Sequence, residues 1–231
     1  MIEAFNFPVL SAIVFIPIVA AVIILFMDGE QRDLIRGVAI TTAVIILALA
    51  FGVFFSYNAE VSGDDGLLAQ QELVAYNHLD ATQMFKEGLA FEEDYVWVGS
   101  LGISYHVGVD GLSAPMVLLT GMVTVAGVLI SWRIEDRLRE FMAFFLLLVA
   151  GVLGVFISVD MFLLFFFYEL AIFPMYLLIA GWGWVELREY ASMKLTLYIL
   201  IGSVIALVGV IAMVFYAQSY FDGAGADVLA Q

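Results

Sequence analysis

Six apolar stretches, each long enough to cross a bilayer, constrain this chain more than anything else in it. They run Phe5–Met27, Gly37–Tyr57, Gly111–Trp132, Phe141–Val159, Met161–Trp182 and Ala191–Tyr216. A hydrocarbon core roughly 30 Å thick, crossed at about 1.5 Å per residue, needs about 20 apolar residues in a helix. The chain is 64% hydrophobic and only 13% charged, against about 45–50% and about 25% in soluble domains. It is therefore read as an all-α integral membrane protein with six transmembrane helices. The organisation expected is two spans in 1–57, an acidic outer loop in 58–110, four spans in 111–217 and a tail in 218–231. The first stretch is too long for a cleaved leader, and the residues before it carry no Lys or Arg.

Several function classes drop out. The net charge of −15 argues against nucleic acid as a partner. With no cysteine, the chain has no disulfide, thiolate zinc site or Cys-ligated iron–sulfur cluster. His78 and His106 lie outside the apolar stretches, which argues against a membrane-embedded haem. No phosphate-binding glycine pattern is present.

Basic residues set the expected orientation. Arg32, Arg36, Arg133, Arg137, Arg139, Arg188 and Lys194 fall on one side, leaving Lys86 opposite. By the positive-inside rule that side is cytoplasmic, so both termini face outward. The outer loop holds ten acids and one lysine. It reads as a cation-collecting vestibule or, more simply, as a solvated acidic loop. Near its end VWV and ISYHVG flank GSLG, the pattern of a short hairpin. Asp110, with Ser113 in the following turn, reads as the cap of the third span.

Glu169 is the informative residue inside the spans. Counted from Asp160 it lies about nine residues, or roughly 13 Å, into the fifth span. A carboxyl at that depth costs of order 2.5–3.5 kcal/mol on insertion scales, so it is expected to face a bundle interior or a water-filled cavity. Intramembrane carboxyls commonly mark ion or proton paths, although a neutral, hydrogen-bonded packing role is the alternative. Pro174 leaves the carbonyl of Leu170 without its helical donor, which suits a local polar opening. Lys194 lies about four residues, or roughly 6 Å, into the sixth span, flanked by Tyr190 and Tyr198. It either reaches toward the membrane centre or snorkels back to the surface. Desolvation favours a protonated carboxyl and a nearby cation favours the anion, so such a pair can hold and release a proton. Sodium fits less well, because it wants several oxygens and the acid sits among Phe165, Phe166, Phe167 and Leu170. Gly151, Gly154 and Ser158, and Gly202, Ala206 and Gly209, read as close helix-packing positions.

At HVGVDGLSAPMVLLTG, GVFISVDMFLLFFFYELAIFPMYLLIAGWG and YASMKLTLYILIGS, across about residues 95–217, the chain resembles a known family. It is similar to subunit M of the proton-pumping NADH:quinone oxidoreductase of bacteria, respiratory complex I, the counterpart of mitochondrial subunit 4. The resemblance implies an antiporter-like, proton-translocating subunit in the membrane arm of that enzyme, in a bacterial inner membrane. Glu169, in F-x-x-E-x-x-x-x-P-M-Y, matches the family's buried glutamate, and Lys194 matches a lysine of its polar path. The other membrane-arm subunits and the bilayer are the implied partners. No cofactor is implied in this chain, since NADH, FMN, iron–sulfur clusters and quinone belong to partner subunits. Family members have about fourteen spans, so the six here correspond to the N-terminal portion. The later helices that supply the glutamate's main lysine partner are missing from it. Alone, the chain is not expected to pump, whether it is truncated or completed by a second polypeptide. Related readings are a subunit of a multi-chain sodium/proton antiporter or membrane-bound hydrogenase, and a structural membrane piece without transport.

Overall fold

The computed structural model describes residues 7–61, 89–98 and 103–229. Six helices in it are long and apolar enough to cross a membrane. They are α1 (Val9–Phe26), α2 (Arg32–Val61), α3 (Ser113–Ile130), α4 (Leu138–Ile157), α5 (Met161–Trp182) and α6 (Arg188–Leu229). Between α2 and α3 lie strands β1 (Ala90–Val98) and β2 (Ile103–Val109), and a 3-10 turn, Ser131–Arg133, follows α3. Most of the acidic loop and the GSLG turn lie outside the described residues. The sixth helix continues to Leu229, through residues read from the sequence as tail.

The chain divides into two units, one ending at Leu178 and one beginning at Ile179. In the first, α1 packs chiefly along α4, and α2 along α3. The apolar core has two parts. One holds Leu10, Ile13, Val53, Val117, Leu153, Ile157, Leu163 and Phe167, and the other Ile24, Ile35, Val128, Met142 and Leu146. Small residues bring α4 against α5. A Cβ placed on Gly151 would lie 2.8 Å from the Ala171 side chain, and one on Gly154 would strike the Phe167 ring. On α6, by contrast, a Cβ at Gly202 or Gly209 meets no atom within 4 Å among the described residues.

The hairpin ties the bundle together at one end. β1 and β2 pair antiparallel, from Ala90 opposite Val109 to Val98 opposite Ile103. The register shifts between Ala90 and Glu93, where Phe91 takes a left-handed φ of 56°. One extra residue reverses side-chain alternation beyond it. Glu93 thereby turns toward α1, whose first turn has no cap of its own after Pro8. Its Oε1 accepts the Leu10 and Ser11 amides at 3.0 and 3.4 Å, and its Oε2 accepts the Ser11 hydroxyl. Ser11 Oγ also lies 2.9 Å from the Tyr105 hydroxyl. A carboxylate there satisfies orphan amides and complements the positive end of the helix dipole.

The same hairpin holds the start of α5. The His106 carbonyl accepts the amides of Val159 and Asp160 at 3.0 and 3.4 Å, and Val107 bridges Ser158. Asp160 Oδ1 in turn accepts the Leu163 amide at 3.0 Å. Asp110 caps the approach to α3 as the sequence predicts, its Oδ1 accepting the amides of Leu112 and Ser113 at 3.1 and 2.7 Å. Burial alone would raise its pKa, but the hydrogen bonds from Ser113 and Leu112 outweigh burial and hold the carboxyl below its ordinary value. At the opposite end Arg139 donates to the Met27 carbonyl at 3.3 Å, closing α1.

Two outcomes follow from this packing. Replacing Glu93 with Ala removes the α1 cap, a loss of about 1 kcal/mol. Amide exchange at Leu10 and Ser11, measured by mass spectrometry on the assembled protein, should then quicken by roughly fivefold. Replacing Gly154 with Ala overpacks the α4–α5 contact at a cost of about 1–3 kcal/mol. It should lower the thermal stability of the assembled protein, and Phe167→Leu in the same chain should recover most of the loss.

Candidate functional site

Helix α5 is apolar on every side, so its rotation is set by packing rather than by an amphipathic stripe. Leu163, Phe167 and Ile172 are buried, and Ala171 lies against Gly151. Phe167 and Ala171 stand two residues before and after Glu169, which places both of them about 160° around the helix from it. Glu169 is therefore turned opposite the α4 contact. It is exposed, on a stripe with Phe162, Phe166 and Phe173. The cause is local, since the two glycines of α4 admit Phe167 and Ala171 and leave the carboxyl on the far side.

Glu169 is about 12 Å along the helix from Met161 and about 20 Å from Trp182. Among the described residues its carboxylate has no hydrogen-bond or ion-pair partner. Pro174 is buried, and the helix runs unbroken past it. The hairpin covers the part of the stripe between Glu169 and the Met161 end. The Trp97 ring packs edge-on against Phe162 and Phe166, with centroids 6.3 and 6.0 Å away and interplanar angles of 68° and 84°. Hydropathy gave no hint of this contact.

Lys194 belongs to the second unit. There the end of α5 turns through a short connection whose Gly183 amide donates to Ile179 and whose Leu187 and Arg188 amides donate to Trp184. Arg188 also donates to the Gly181 carbonyl at 3.3 Å, a favourable place for a cation at a helix C-terminus. Lys194 lies on the second turn of α6. Its Nζ sits 5.4 Å from the Tyr190 ring centre and 5.9 Å from that of Tyr198. The Tyr–Lys–Tyr stripe expected from the spacing is thus a cation held between two aromatic faces, each worth about 0.5–1 kcal/mol at exposed sites.

Glu92 and His106 form a second polar pair, Oε1 to Nε2 at 2.7 Å, on the hairpin. This pairing depends on strand register, which the sequence alone does not show.

Comparison with known proteins bears on the same residues. Residues 158–222, which include both Glu169 and Lys194, match the family model described as NADH:quinone oxidoreductase/Mrp antiporter, TM. The chain is 34% identical over 213 residues to NAD(P)H-quinone oxidoreductase chain 4 2 of Trichodesmium erythraeum, covering 92% of this chain and 34% of that one. It is 36% identical over 213 residues to the chloroplastic NAD(P)H-quinone oxidoreductase chain 4 of Chlorokybus atmophyticus, covering 92% of this chain and 37% of the relative. The chain thus spans about a third of the length of the curated relatives it matches. Among solved structures, a chain of the membrane-bound sulfane sulfur reductase, an archaeal respiratory membrane complex, shares the fold. The TM-score is 0.61 at 19% identity, over 88% of this chain and 36% of that one. Six helices long and apolar enough to cross a membrane, the motif around Glu169 and similarity along nine-tenths of the sequence make the chain similar to about a third of an NAD(P)H-quinone oxidoreductase chain 4, the subunit M type.

Proposed function

We propose that this chain carries part of a proton path in the membrane arm of an NADH:quinone oxidoreductase, with Glu169 as the residue that takes up and releases the proton. The observation that carries the reading is a single carboxyl set among phenylalanines well inside an apolar helix, within the residues that match the family model. In lipid that group would cost of order 2.5–3.5 kcal/mol. Facing other protein, with a cation able to approach and withdraw, a carboxyl can take up and give back a proton. The exposed stripe of α5 is accordingly assigned to contact with further helices of the assembly. Electron transfer to quinone belongs to partner subunits, and this chain contributes proton movement alone.

Lys194 is proposed as a second member of the path. Its position between Tyr190 and Tyr198 keeps the ammonium on one line of the helix rather than free to sweep the surface. Either tyrosine hydroxyl can hydrogen-bond water beside it. The side bearing Arg32, Arg36, Arg133, Arg137, Arg139 and Arg188 is taken as cytoplasmic, by the positive-inside rule. The family also takes in Mrp antiporters, but the curated relatives are quinone oxidoreductase chains, which favours the respiratory reading.

Replacing Glu169 with Gln keeps shape and removes the exchangeable proton. In vesicles containing the assembled complex, substrate-driven acidification should fall to a small fraction of normal while the complex still forms. Unchanged acidification would take Glu169 out of the mechanism. Lys194→Met should cut acidification and Lys194→Arg should retain most of it. Normal pumping in both would make Lys194 a surface anchor.

A further inference from the structure

The hairpin does more than cap α1. Its Trp97 leans over α5 at the only stretch that separates Glu169 from the hairpin end of that helix. Phe162 and Phe166 lie seven and three residues before Glu169, within about 60° of it around the helix, so the three share one face. The indole meets both rings edge-on, the arrangement that aromatic quadrupoles favour. Phe166 in turn stands edge-on to the buried Phe167, 5.5 Å between centroids. The cover is fixed to α5 by backbone, because β2 accepts the Val159 and Asp160 amides through the His106 carbonyl. Trp97, Phe162 and Phe166 are each about half exposed, so their outer sides remain open to a neighbouring helix.

We propose that the Trp97 indole, seated on Phe162 and Phe166, is a hydrophobic barrier that keeps water on the hairpin side from reaching Glu169. The inference rests on the proton-carrying reading of Glu169 and adds a direction to it. A carboxyl open to water on both sides conducts protons down their gradient and cannot support a pump. An apolar constriction prevents this by excluding the water chain a proton needs. Glu169 lies nearer the hairpin end of α5 than the other, so that side has the shorter distance to seal. Nothing polar on the stripe between Met161 and Glu169 could carry a proton in place of water.

The test is passive proton leak, measured without substrate. Vesicles containing the assembled complex are given an acid pulse, and an entrapped pH-sensitive dye reports the collapse of the gradient. Trp97→Ala should accelerate that collapse several-fold, Trp97→Phe should leave it near normal, and adding Glu169→Gln to Trp97→Ala should abolish the excess. Should Trp97→Ala fail to assemble, Phe166→Ala opens the same contact from the helix side and should leak in the same way. A gradient that collapses at the normal rate in the Ala variants overturns the barrier. So does a leak that persists when Glu169 is replaced. Failure of the underlying reading looks different: Glu169→Gln alone would then leave substrate-driven pumping intact, whatever the leak.

Discussion

A carboxyl group is held well inside an apolar helix, and the face it presents depends on how that helix packs. Glu169 is placed there by α5, and α5 is rotated by its contact with α4. Because Gly151 and Gly154 have no side chains, Phe167 and Ala171 approach until ring and backbone nearly touch. Their positions two residues to either side of Glu169 turn the carboxyl to the opposite face. Packing that is entirely apolar thus decides where the one charge points. In a helix greasy on all sides there is no other determinant, since any rotation would bury similar surface.

The hairpin gives this arrangement its fixed reference at one membrane face. Glu93 binds the first turn of α1, and the His106 carbonyl binds the first turn of α5, so two distant helix ends are held by one pair of strands. Helix ends are where backbone groups lack partners, and near a membrane surface those groups need protein or water. A carboxylate at the start of α1 and a carbonyl at the start of α5 answer that need. The same strands then have Trp97 in position to lie over Phe162 and Phe166. Capping and covering are two consequences of one docking.

The fold was largely legible in the sequence, for a plain physical reason. Bilayer thickness fixes how long an apolar stretch must be, and nothing else in a short chain produces six of them. Asp110 was equally readable, since capping is local and its partners lie within three residues. What escaped were the interactions that join distant segments. Glu93 looked like one more acid in a solvated run, and only the register shift at Phe91 aims it at Ser11. Pro8, which leaves α1 without a cap of its own, was the available signal. The place of Glu169 along its helix followed from counting residues, but its direction did not. Rotation depends on which small residues a neighbouring helix offers, and hydropathy carries no record of that. Gly151 and Gly154 were recognised as packing positions, and both lie against α5.

The acid's surroundings also bear on which ion the proposed path carries. Along its exposed stripe Glu169 is accompanied by Phe162, Phe166 and Phe173, with Tyr176, seven residues on, bringing a single hydroxyl to the same line of the helix. A bare cation needs several oxygen ligands to replace its lost hydration. A proton needs one, because it becomes part of the carboxyl and leaves a neutral group that an apolar setting accepts.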